Sequence, residues 1–221
     1  MTSALCISVA YGALLILPKE ILIRITQEDN VYENITAIAL FLASFISIYL
    51  FLTSRIGNDL FILKTKKNIF FVLLFLLFFF VAGEEISWGQ RIFGWGTPKT
   101  FGNFNLQDET TIHNLNFIMP IEGRLIYMFI FSWTILVPIF NRTNNKVKVF
   151  LQSINLPFGS LWIGFLFCLN YSLLLVVRHY VPFNNGPYGI RREEISECNI
   201  AILFLALTLL IFKKERDTNN E

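Results

Sequence analysis

Two carboxylates stand side by side at Glu84 and Glu85, inside the run Gly83-Glu84-Glu85-Ile86-Ser87-Trp88-Gly89-Gln90-Arg91. A second polar run follows at Asn105-Leu106-Gln107-Asp108-Glu109-Thr110-Thr111-Ile112-His113-Asn114. Glu109 and His113 are spaced i, i+4, so on a helix they share one face. Further on come Arg178-His179 and a third group of acids, Glu193, Glu194 and Glu197. Carboxylate oxygen and imidazole nitrogen suit zinc or iron. Glu85, Glu109, His113, His179 and Glu197 are therefore candidate ligands of a divalent metal. Glu84, Glu85, His113 and Arg91 are candidate catalytic groups. Trp88, Gln90, Gln107, Asn114 and Arg178 are candidate substrate contacts. A water activated by such a metal, with a second glutamate as general base, attacks an ester or phosphodiester. The chain has no G-x-S-x-G, H-E-x-x-H or phosphate-binding loop. Ceramidase-like membrane hydrolases use three histidines, and only His113 and His179 occur here.

These residues matter because of what must position them. The chain has 221 residues, 54% hydrophobic and 15% charged, with a mean hydropathy of +0.56 and 24 phenylalanines. Soluble domains carry roughly 25% charged residues. So little charge cannot cover a soluble globule, which excludes a soluble enzyme and a nucleic-acid binder. Net charge is +2 and implies no anionic partner. Cys6, Cys168 and Cys198 form no C-x-x-C pair and read as buried, inert thiols. The start lacks a basic n-region, so residues 2–17 read as a retained span, broken at Pro18. Residues 217–221 read as a frayed polar tail.

Six apolar stretches, roughly 3–25, 31–53, 68–92, 121–140, 158–180 and 193–212, read as helices. Open strand edges are not tolerated in lipid. The expectation is an all-α polytopic bundle of about six transmembrane helices, one integral membrane domain over 1–221. Residues 93–120 form its long extracytoplasmic loop. With six spans, one side carries ten basic and four acidic residues and the other eight and twelve, giving +6 and −4. The positive-inside rule then places both termini in the cytoplasm and the acids outside.

The apolar run Ile69 to Ala82 is 14 residues, about 21 Å of helix against a core of roughly 30 Å. To cross, the helix is expected to continue to about Trp88, which holds Glu84 and Glu85 inside the outer half of the bilayer. Glu197 lies 15 residues from Phe212, as Glu84 lies 15 from Ile69. Both acids thus sit about 22 Å from the cytoplasmic boundary. Glu84, Glu85, Glu197 and the end of the fifth stretch are expected around one cavity, with Glu33, Glu122 and Arg124 at its rim. The 28 residues from Phe93 to Pro120 exceed a usual connection of about 4–6. Residues 105–114 are expected to fold back so that His113 approaches Glu84 or Glu85. Carboxylates inside a membrane mark an ion or proton path as readily as an enzyme. They also serve as packing ion pairs in a partner subunit. All three functions stay open, as does the oligomeric state.

The Gly83–Arg91 run and the pattern Asn105-x-Gln107-x-Glu109-Thr110-x-x-His113-Asn114 resemble the signature of an uncharacterised group of bacterial multi-pass membrane proteins. Glu28-Asp29 and Glu33 are similar to it too. That group tends to carry Gly where Asp108 stands and Asn where Thr111 stands. The resemblance covers the middle of the chain best. It implies a bacterial inner-membrane protein with no assigned activity. From the residues themselves, the lipid bilayer is the expected partner and a lipid or small molecule the expected ligand.

Overall fold

A computed structural model describes residues 2–26, 31–55, 57–59, 64–98, 111–112, 119–180 and 191–220. The architecture is all-α. In chain order the helices are α1 (Thr2–Ile16), α2 (Lys19–Thr26), α3 (Val31–Thr53), α4 (Phe70–Glu85), α5 (Gln90–Phe93), α6 (Met119–Phe131), α7 (Val137–Thr143), α8 (Asn145–Ser153), α9 (Leu161–Tyr180) and α10 (Arg192–Asn220). One antiparallel pair, Asn58–Asp59 with Lys64–Thr65, accompanies them among the described residues.

Among the described residues, four segments are long and apolar enough to cross a membrane by length and composition: Lys19–Thr53, Gly123–Thr143, Leu161–His179 and Arg192–Asp217. α1 and α4, at 15 and 16 residues, are shorter, about 22 and 24 Å. The expected continuation of the third helix to Trp88 is corrected, because α4 ends at Glu85 and the backbone reverses hand beyond it.

α3 is the central staff. Its buried residues include Ala37, Ala39, Ala43, Ser44 and Ser47, small side chains that let α4 pack against it on one flank and α10 on the other. Ser44 Oγ donates to the Phe75 carbonyl of α4 at 3.2 Å. α4 is apolar all round. It buries Phe71, Leu74, Phe78 and Ala82 at helical spacing and exposes Leu73, Leu76, Leu77 and Phe80. In water that exposed face would be an aggregation site; against lipid it is solvated. α9 packs on α10 and carries α1 and α6 on its other side. Phe204 of α10 joins the layers, with Phe78 and Phe167 rings at 5.2 Å and Trp133 at 6.1 Å.

α6 and α7 form one continuous rod with a π turn at Ser132–Leu136. Its cause is Pro138, which has no N–H for the carbonyl of Thr134 four residues back. Gly164 of α9 backs onto that carbonyl so closely that a Cβ there would stand 2.5 Å from the oxygen.

The end of the bundle formed by residues 57–59, 64–69 and 144–160 is tied by carboxamides. Asn58 Nδ2 donates to Asn68 Oδ1 at 3.2 Å and to the Ile154 carbonyl at 2.5 Å. Asn68 Nδ2 donates to the Asn155 carbonyl, and Asn155 Nδ2 to the Gly57 carbonyl, both at 2.7 Å. Asn155 sits at φ +47°, a region asparagine tolerates better than most residues. Arg55, Lys66, Lys67, Arg142, Lys146 and Lys148 gather at this basic end.

Candidate functional site

The opposite end carries the acids. Past Glu85 the chain makes a left-handed turn, with φ +47° at Ser87, +53° at Trp88 and +78° at Gly89. Only the glycine adopts this without penalty; the other two cost about 1–2 kcal/mol each. The turn folds the Trp88 ring back over α4. There the indole meets Phe80 edge-on at 5.4 Å and lies over Gly83, where a Cβ would stand 2.7 Å from it. Its N–H donates to Glu84 Oε1 at 2.6 Å.

Glu84 is 6% exposed. Its second oxygen, Oε2, accepts the backbone N–H of Ile112 at 2.5 Å. The neighbouring Thr111 is fully buried. One carboxylate therefore secures both the strained turn after α4 and a point 28 residues along the chain. Charge-assisted bonds of this kind contribute about 1.5–3 kcal/mol each, enough to hold the turn. The Gln90 amide donates to Thr97 Oγ1 at 2.8 Å, pinning the start of the same connection. Phe93 and Trp95 stack at 5.3 Å on the exposed rim.

Residues 111–112 thus return to α4, as the sequence leads one to expect. His113, Glu109, Gln107 and Asn114 lie outside the described residues. Arg91 belongs to α5.

α10 sorts its acids onto two faces. Glu194 and the buried Cys198, four apart, share one face of α10; the Cys198 thiol lies beside Thr36 of α3 and within electrostatic reach of Glu85 and Glu194. Glu85 is half-buried there. Glu197 is exposed on the other face, within electrostatic reach of Tyr127. Glu85 and Glu194 both lie near the Cys198 thiol, which makes Glu194 a second α10 carboxylate to consider beside the expected Glu197.

On the second face Arg178 pairs with Glu193 at 3.1 Å, and Arg192 shares that carboxylate at 3.5 Å. His179 is exposed at the end of α9. Beneath this rim lies a buried polar hub that the sequence reading overlooked. Asn170 accepts from Tyr11 Oη at 3.1 Å and from Asn199 Nδ2 at 3.0 Å. It donates to the Ser196 carbonyl at 3.2 Å and to Ser196 Oγ at 3.0 Å. Tyr127 Oη joins Ser196 Oγ at 3.0 Å. A lone carboxamide in the middle of the 158–180 stretch was the available signal, since polar groups in spans demand partners. Among the described residues no three His, Cys, Asp or Glu side chains form a metal-holding group. Of the five candidate ligands, Glu85, His179 and Glu197 are described; Glu85 is half-buried, and His179 and Glu197 are exposed.

No protein-family model, curated protein or solved structure matches this chain.

Proposed function

We propose an inner-membrane protein with six spans, α1 and α4 being the two short ones, and both termini cytoplasmic. Its outer, acid-rich end holds a carboxylate/histidine site that hydrolyses a lipid-borne ester or phosphodiester with the aid of zinc or iron. The carrying observation is the Glu84–Ile112 bond, which brings residues 111–112 to the end of α4 that carries Glu85. In this proposal the metal ligands come from Glu85, Glu109, His113, His179 and Glu197, with Glu194 a further candidate through its place near Cys198. The exposed aromatics Trp88, Phe93 and Trp95 suit a substrate arriving from the bilayer interface. A carboxylate takes the proton of water, the new bond forms at the ester carbon or phosphorus, and the proton passes to the departing alcohol oxygen. Glu84, with both oxygens engaged by the fold, is a positioning residue.

The second reading is a cation- or proton-binding carrier, favoured by two carboxylates, Glu84 and Glu85, in succession at the end of an apolar helix, Glu84 being buried. The experiment is elemental analysis of the purified protein beside Glu85→Gln and His113→Ala, combined with lipid-hydrolysis assays. Stoichiometric zinc or iron in the parent, lost in both variants together with hydrolysis, is the expected result. Metal-free protein that still folds, or metal content indifferent to both changes, refutes the metal site and leaves the carrier reading.

A further inference from the structure

At the basic end a cavity of about 180 Å³ opens between the start of α4, the end of α7, the α8–α9 connection and the last turns of α10. It lies far from the acid-rich site and owes nothing to it. Its polar lining is Asn68, Asn141, Gln152, Asn155, Lys214 and Glu215. Asn68 and Asn155 are already fixed by the carboxamide ties, so the floor is rigid. Ile211 and Phe158 supply apolar wall, and Lys214 Nζ stands 5.8 Å over the Phe158 ring at the mouth.

Three observations say what fits. The cavity occurs where α10 passes from Ile211-Phe212 to Lys213-Lys214, the transition from hydrocarbon to headgroup. Beside it runs α8, capped by Asn144, with Leu151 turned inward and Val149 and Phe150 exposed next to Lys146 and Lys148. That pattern suits a helix lying in the interface plane. Finally, the lining holds one cation and one anion in succession, Lys214 and the half-buried Glu215, among carboxamide oxygens. At about 30 Å³ for each water-sized group, there is room for roughly six of them. That suits a headgroup and excludes a whole lipid.

We infer that this cavity binds the headgroup of a phospholipid bearing a phosphate and a primary ammonium, that is, phosphoethanolamine. Lys214 takes the phosphate. Glu215 and the Asn141 and Gln152 carbonyl oxygens take the ammonium, whose three N–H donors match several acceptors. A choline headgroup keeps the charge and has no N–H to donate. A glycerol headgroup offers hydroxyls and leaves Glu215 facing a net negative lipid.

The test uses the full chain in nanodiscs, with bound lipid read by native mass spectrometry. The headgroups offered are phosphatidylethanolamine, its mono- and dimethyl forms, phosphatidylcholine and phosphatidylglycerol, at equal acyl composition. The expected result is a roughly tenfold preference for the ethanolamine lipid over choline, the worth of one charge-assisted hydrogen bond, falling stepwise with each methyl. Glu215→Gln should abolish that preference, and Lys214→Gln should weaken retention of every phospholipid. Equal retention across the methylation series overturns the inference without recourse to any variant. So does stronger binding of phosphatidylglycerol, or a preference that survives Glu215→Gln in protein with an unchanged melting temperature.

Discussion

Replacing Gly83 by alanine tests the turn after α4 through a single methyl group. That Cβ would stand 2.7–2.9 Å from three atoms of the Trp88 ring, where ordinary contact begins at 3.4 Å. The ring must therefore retreat by roughly 0.7 Å. Added to the 2.6 Å indole–Glu84 bond, this stretches it to about 3.3 Å, beyond the usual 2.7–3.2 Å range. Losing a hydrogen bond to a charged group costs about 1.5–3 kcal/mol. Alanine returns about 1 kcal/mol of helix propensity over glycine. The net expectation is destabilisation by about 0.5–2 kcal/mol. The sign should reverse once the ring is gone. In a Trp88→Ala background the same Gly83→Ala change should stabilise by about 1 kcal/mol. Equilibrium unfolding in mixed micelles, followed by circular dichroism over the four-protein cycle, gives the coupling directly. If Gly83→Ala costs the same with and without the indole, the ring does not act through Glu84 and the argument for a secured turn is wrong.

At the other end, Asn155→Gly should lose only the bond to the Gly57 carbonyl, about 1 kcal/mol. Asn155→Ala should lose that bond and meet left-handed strain at φ +47°, about 2–3 kcal/mol in all. Thermal unfolding of the pair checks the order, and equal losses would contradict it. Asn170→Ala removes the common partner of Tyr11, Ser196 and Asn199. At about 0.6 kcal/mol for an average hydrogen bond in a membrane, its four contacts sum to about 2–3 kcal/mol. A loss under 0.5 kcal/mol in the same unfolding assay would show that the hub relaxes around the gap.

The spans were legible where hydropathy alone decides. The stretches 31–53 and 158–180 correspond closely to α3 and α9, while α10 starts where expected but runs on to Asn220, past the expected end at 212 and into the tail read as frayed; Pro18 separates α1 from the amphipathic α2 as its missing N–H requires. Azimuth was not legible. α4 is apolar on every side, so nothing in its pattern tells the Phe78 face, against protein, from the Phe80 face, against lipid. Apolar run lengths carry no helical phase, so they do not tell the face of α10 that holds Glu194 and Cys198 from the face that holds Glu197. The turn at Ser87-Trp88 was hidden because neither residue advertises positive φ. The return of residues 111–112 was signalled by the length of the connection; that Glu84 itself secures it was not, since the partner is a backbone N–H that every residue possesses. The carboxamide ties escaped notice because asparagine in a polar connection is usually just a turn former.

Those ties have a consequence for how the protein answers its surroundings. Asn58, Asn68 and Asn155 hold the basic end with groups that neither ionise nor attract counterions. At the acid-rich end the same task is shared by the Glu84 carboxylate and by the exposed Arg178–Glu193–Arg192 ion pairs. Added salt therefore acts on the bundle unevenly: it screens the exposed ion pairs at one end and leaves the carboxamide ties at the other unchanged.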